Sequence, residues 1–146
     1  MTPNWVRTDA FERAPKRQST TIEPRDILLV ENDDSIAQMY ALGLSLNGFP
    51  VHIAASGEMA LLEASSGQHF SAIVLDVGPP TIGPFQTLDE LRHFSATADV
   101  PVIALSNDDF DTAEVMRHGA TECHLKYRTT PGQLVSYVQG ALRRAA

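Results

Sequence analysis

The chain has 146 residues, enough for one domain with a sizeable core and too few for two ordinary ones. Its net charge of −7 is unevenly placed: residues 1–25 hold five basic and three acidic side chains, and the remainder holds six and fifteen, a net of −9. So acidic a body is a poor candidate for direct nucleic-acid binding, which needs a basic footprint; a single cysteine, Cys123, excludes an intramolecular disulfide; and no apolar run approaches the roughly 20 residues of a membrane-spanning helix.

Residues 1–25 are polar, mixed in charge and broken by Pro3, Pro15 and Pro24. They are expected to form a flexible arm, with room for a short helix near residues 4–13 that would pack Trp5 on the body. From Asp26 onward short apolar runs alternate with segments of helical period. The expected strands are Ile27–Val30, Val51–Ala54, Ala72–Leu75, Val102–Leu105 and Cys123–Lys126. Three of them are almost wholly apolar, which suits strands covered on both faces of a parallel sheet. The second contains His52 and reads as an edge strand.

Helices fill the gaps. The first is expected to start near Asp33–Ser35, where Asp and Ser are good caps, and to stop at Asn47-Gly48. The second follows Ser56 over about residues 57–64. The third begins near Pro84, a good first-turn residue, with Leu88 and Leu91 inward. The fourth covers about residues 109–118 and ends at Gly119. The last begins at Pro131 behind Thr130, with Leu134, Val135, Val138 and Leu142 forming the stripe of a helix that lies on a sheet. Five βα units in this order imply an α/β fold: a doubly wound, five-stranded parallel sheet with helices on both faces. In such sheets ligands bind beyond the C-terminal strand ends.

Glu31-Asn32-Asp33-Asp34 follow the first strand and Asp76 the third; Ser106 follows the fourth, and Lys126 closes the fifth. Four strands thus bring acids, a hydroxyl and an ammonium to one edge. Carboxylates and a backbone carbonyl suit Mg²⁺, whereas a hydroxyl and a Lys ammonium suit phosphoryl oxygens. A dehalogenase-type phosphatase would carry a second Asp two residues after the nucleophile, where Gly78 stands. A flavin or dinucleotide binder would have a Gly- or Ser/Thr-rich first loop in place of this acidic one.

Over about residues 26–144 the sequence resembles the response-regulator receiver domain of two-component signalling, with a CheY-like, flavodoxin-like (βα)5 fold. The matching segments are ILLVENDDS (27–35), AIVLDVGPP (72–80), VPVIALSND (100–108) and GATECHLKY (119–127). The resemblance implies that Asp76 accepts a phosphoryl group from a sensor histidine kinase or phosphotransfer protein. It implies a Mg²⁺ held by Glu31, Asn32, Asp76 and the Gly78 carbonyl, with Ser106 and Lys126 binding the phosphoryl group. Domain limits would be 1–25 for the arm and 26–146 for the receiver. A stand-alone cytoplasmic receiver is expected, without nucleic-acid or membrane contact, signalling to a downstream protein. The surface of the fourth and fifth helices is a candidate partner or homodimer face. The alternative is a pseudo-receiver, never phosphorylated, acting as an interaction module.

The chain departs from the family pattern at several positions. Asn32 replaces an acid. Tyr127 follows Lys126 where proline is usual, and Cys123 stands where an aromatic switch residue is common. The 78–84 loop is rich in Pro and Gly, and Asn107 is larger than the small residues often found there, which would hinder water attack and prolong phosphorylation.

Overall fold

A computed structural model describes residues 25–77, 84–107 and 112–145. The arm up to residue 24, most of the Pro/Gly loop including Gly78, and the acidic run 108–111 lie outside the described residues.

The strands are β1 (Ile27–Val30), β2 (Val51–Ala54), β3 (Ala72–Asp76), β4 (Val102–Ser106) and β5 (Glu122–Leu125). They form one parallel sheet in the order β2-β1-β3-β4-β5, with β2 at an edge as His52 suggests. The helices are α1 (Asp34–Leu46), α2 (Gly57–Ser65), α3 (Pro84–His93), α4 (Thr112–Arg117) and α5 (Pro131–Ala145). The expected doubly wound α/β architecture is therefore present.

Strand residues alternate between two cores, because successive side chains point to opposite faces. Leu28, Val30, Ile73, Leu75, Val102 and Ala104 meet Ala60 and Ala64 of α2, Leu88 and Leu91 of α3 and Val115 of α4. Ile27, Leu29, Ala72, Val74, Ile103 and Leu105 meet Tyr40 and Leu44 of α1 and Leu134, Val135 and Val138 of α5. Burial on both faces explains why β1, β3 and β4 read as continuous apolar runs.

Local signals set the helix ends. Asp33 caps α1 by accepting from the Ile36 N–H at 3.0 Å, and Gly48, at φ +87°, ends it in the left-handed region. Thr130 and Gln133 cap α5 reciprocally: Thr130 Oγ1 accepts from the Gln133 N–H, and Gln133 Oε1 accepts from the Thr130 N–H.

The far end of α3 is tied down by one side chain. Arg92 donates to the carbonyls of Thr97, Ala98, Val100 and Gly119, at 2.7–3.2 Å. It joins the last turn of α3 to the loop before β4 and to the turn between α4 and β5. Gly119 is required there: its φ is +115°, and a Cβ would come within 2.9 Å of Arg92 Cγ. Replacing Arg92 by Met keeps the aliphatic stem and removes every one of these bonds. We expect a loss of about 2 kcal/mol, read as a lower urea midpoint with an unchanged slope.

Candidate functional site

Parallel pairing aligns the strand ends and so sets the site. Val30 pairs with Leu75 and Asp76 with Leu105, which brings Glu31, just past β1, level with Asp76 at the end of β3. Ser106 ends β4 opposite Leu125, and Lys126 is the next residue, opening a short 3-10 turn over Lys126–Arg128. β4 lies between β3 and β5, so the Lys126 side chain spans the end of β4 to reach the acids.

It reaches two of them. Lys126 Nζ donates to Asp76 Oδ2 at 3.0 Å and lies 2.8 Å from Glu31 Oε1. The three side chains are largely removed from solvent, at 13% exposed for Lys126, 11% for Asp76 and 1% for Glu31. Burial alone would lower the Lys126 pKa, but its hydrogen bonds to Glu31 and Asp76 and their negative charges raise it above 10.5 overall. The ammonium is thus the charged form at neutral pH. Three unit charges share the space, two negative and one positive, leaving a net of −1.

Glu31 is no solvated strand end. Its second carboxylate oxygen, Oε2, accepts from the Asp33 N–H at 3.0 Å, so the carboxylate is held from both sides. Asp33 in turn caps α1. Asp33 is thus the expected helix cap. Asn32 is exposed, between the buried Glu31 and the cap. Ser106 is buried at 1% exposure. Gly78 lies outside the described residues. The structure therefore brings Glu31, Asp76 and Lys126 into direct contact, aligns Ser106 on the same sheet edge, and leaves Asn32 at the surface. No group of three or more His, Cys, Asp or Glu side chains that could hold a metal ion occurs among the described residues.

Other polar residues of this half of the sheet serve structural contacts. His124 on β5 stacks on Tyr137 of α5, centroids 3.6 Å apart, and pairs with Glu122 at 2.7 Å; Arg144 joins that Glu. Cys123 packs part-buried against the core shared with α4. Tyr127 is 70% exposed, so no ring of that residue is folded into the site.

Tyr40 of α1 makes a polar contact that sequence reasoning did not single out. The ring is buried, and its hydroxyl donates to the Thr129 carbonyl at 2.8 Å. Burial raises the phenol pKa above 10.0; the Lys126 charge works against this, and Glu31 and Asp76 add to it. The hydroxyl is therefore protonated at neutral pH and able to donate. The available signal was generic: a buried tyrosine needs a partner for its hydroxyl.

Comparison with known proteins identifies the family to which this fold belongs. Residues 27–139 match the model of the response regulator receiver domain. The transcriptional regulatory protein AfsQ1 of Streptomyces coelicolor is 36% identical over 102 residues, covering 68% of this chain and 44% of that protein. The transcriptional regulatory protein PrrA of Mycobacterium tuberculosis is 29% identical over 118 residues, covering 81% of this chain and 50% of that one. The chain thus spans about half the length of the curated relatives it matches. Among solved structures, the chemotaxis protein CheY4 of Vibrio cholerae superposes with a TM-score of 0.74 at 27% identity, covering 82% of this chain and 99% of that one. The matched region includes every strand and the Glu31, Asp76, Ser106 and Lys126 positions, and the chain belongs to the response-regulator receiver domain family.

Proposed function

We propose that this receiver accepts a phosphoryl group on Asp76 from the phosphohistidine of a sensor histidine kinase or a phosphotransfer protein. The observation that supports it best is the shared ammonium, Lys126 Nζ lying 3.0 Å from Asp76 and 2.8 Å from Glu31. A part-buried carboxylate beside a fixed cation is a poised nucleophile, and phosphoryl transfer depends mostly on positioning and electrostatics.

In the transfer, an Asp76 carboxylate oxygen forms the new O–P bond while the N–P bond of the donor histidine breaks. The bonding pair returns to the imidazole nitrogen. Lys126 screens the incoming phosphoryl oxygens from the acids, and the Ser106 hydroxyl takes one of them once the group has arrived. The aspartyl phosphate would carry about −1.5 to −2 in place of the single negative charge of the Asp76 carboxylate, and together with Glu31 that is more than Lys126 alone offsets.

That imbalance is why a divalent cation fits. The available donors are hard oxygens, the type that takes Mg²⁺. Glu31, Asp76, the Asn32 side chain and the Gly78 carbonyl would hold it. When bound it supplies positive charge against the phosphoryl oxygens. With Asn32 in place of an acid, the residues contribute two carboxylates, so Mg²⁺ binding should be weak.

The domain is a phosphoacceptor rather than a turnover enzyme. With a net of −9 after residue 25, this stretch is a poor direct ligand for DNA, so we assign its output to protein contact. Cytoplasmic residence follows from the kinase pairing, and no helix among the described residues is long and apolar enough to cross a membrane. The competing reading, an interaction module that is never phosphorylated, rests on the departures at Asn32, Tyr127 and Cys123, of which Asn32 is uncharged and exposed.

Intact-mass spectrometry after incubation with Mg²⁺ and acetyl phosphate separates the two. One added phosphoryl group in the wild type, absent from Asp76→Asn, supports the phosphoacceptor. No addition by a folded wild type at high Mg²⁺ supports the interaction module.

The charge arrangement also predicts an asymmetry in stability. Lys126→Met leaves two carboxylates together without their cation and should cost about 2–4 kcal/mol. Asp76→Asn leaves a balanced Glu31–Lys126 pair and should stay within about 1 kcal/mol of the wild type or exceed it. Because the folded Lys126 pKa is raised, the ion pair's contribution is complete below 10.5 and fades as pH climbs through the higher folded value. Urea titrations of wild type and Lys126→Met should therefore differ by a constant amount from neutral pH to about 9 and converge only above the lysine range.

A further inference from the structure

Tyr127 stands where a proline would stiffen the chain after the site lysine, so something else must hold Lys126 in register. Among the described residues, three hydrogen bonds tie the turn. The Thr129 N–H donates to the Lys126 carbonyl at 3.0 Å, and Thr129 Oγ1 donates to the Leu125 carbonyl at 2.8 Å. Both are local and would travel with the turn if it moved. The third is anchored elsewhere: the Tyr40 hydroxyl donates to the Thr129 carbonyl at 2.8 Å, from a residue 89 positions away in sequence.

Tyr40 is a firm anchor. Its ring is 2% exposed within the core shared by β1, α1 and α5. The helix that carries it approaches the start of α5 closely at Gly43, where an added Cβ would lie 3.0 Å from Pro131 Cβ. That close approach fixes the spacing between α1 and the segment Thr129-Thr130-Pro131, so the phenol spans it with a direct hydrogen bond. Thr129 is itself buried at 6% exposure, which leaves its carbonyl poorly placed to find water if the phenol were lost.

We propose that Tyr40 is a positioning residue for phosphoryl transfer: its hydroxyl pins the Thr129 carbonyl, and the pinned turn holds Lys126 against Asp76 and Glu31. The hydroxyl acts through Thr129 and has no contact with the reacting atoms. It supplies from another helix the stiffness that Tyr127, exposed and without a proline ring, does not. The consequence for rate rests on the phosphoacceptor reading above; the consequence for the turn rests on geometry alone.

The test uses Tyr40→Phe, which keeps the buried ring and removes only the hydroxyl, beside Val138→Ala, which loosens the same core from α5 without touching the turn. In Tyr40→Phe, amide exchange at Thr129 should quicken about fivefold, the factor expected for one lost hydrogen bond. Phosphorylation by acetyl phosphate at saturating Mg²⁺ should slow by a similar factor, about fivefold. The Mg²⁺ concentration at half-maximal rate should stay nearly constant, since the acids are untouched. Val138→Ala should lower the melting temperature while leaving the Thr129 exchange and the phosphorylation rate near wild type. Wild-type exchange and rate in Tyr40→Phe would overturn the inference, as would an equal slowing in Val138→Ala. Should wild-type protein take up no phosphoryl group, the phosphoacceptor reading fails on its own. The role of Tyr40 in holding the lysine then stands or falls on Thr129 exchange and on the mobility of the Lys126 ε-methylene, read by NMR relaxation in the same variants.

Discussion

A lysine ammonium held between two carboxylates at the end of an apolar sheet is the interaction on which the rest of this structure depends. Desolvating three charges is expensive, and the attraction among them repays it only when the geometry is good and the remaining lone pairs are satisfied. Each member here is fixed from a separate direction. Glu31 is held by the Asp33 N–H, Asp76 by its place at the end of β3, and Lys126 by the turn after β5. Those elements meet because the parallel register aligns the strand ends, and the register is enforced by two apolar cores that a slip of one residue would turn inside out.

The fold was legible in the sequence because both of its main signals are local. Continuous apolar runs mark strands covered on two faces, and Ser56, Thr130, Gly48 and Gly119 punctuate the helices between them. The first two strands begin and end where the apolar runs do. The third and fourth extend one residue further, to Asp76 and Ser106, because ladder pairing continues under a polar side chain. The fifth slips one residue toward the N-terminus, taking in Glu122 and releasing Lys126 into the 3-10 turn. Its mixed composition, Glu-Cys-His-Leu, offers little apolar contrast with which to fix its limits.

The site was legible as a set of positions and much less as a set of contacts. Strand order brings Glu31, Asp76, Ser106 and Lys126 to one edge, and that much follows from topology. Which acid Lys126 would touch does not. Spacing cannot reveal that Glu31 turns inward to 1% exposure while its neighbour Asn32 faces solvent. The choice is made by the Asp33 N–H, available only once α1 has started at Asp34. Tyr40 escaped for a related reason. In sequence it is one more large residue on a helical stripe, and its partner is a backbone carbonyl, which carries no residue identity at all.

Two long-range devices divide the β5 side of the molecule. At one end the Arg92 fan fixes the turn at Gly119 that leads into β5. At the other, Tyr40 fixes Thr129 just after it. β5 is thus clamped before and behind, while a third contact, His118 against Asp89 at 2.7 Å with its ring stacked on Phe85, ties the end of α4 to α3. On the proposed reading, new charge at Asp76 acts on Lys126 and Ser106 together. The Lys126 side is braced by the Arg92 and Tyr40 ties, so on this reading a response would be taken up where the chain leaves β4 after Ser106. Asn107, exposed at that exit, is the first residue such a movement would displace. On that reading the clamps do more than stabilise β5: they hold the Lys126 side of the site stiff while new charge arrives at Asp76.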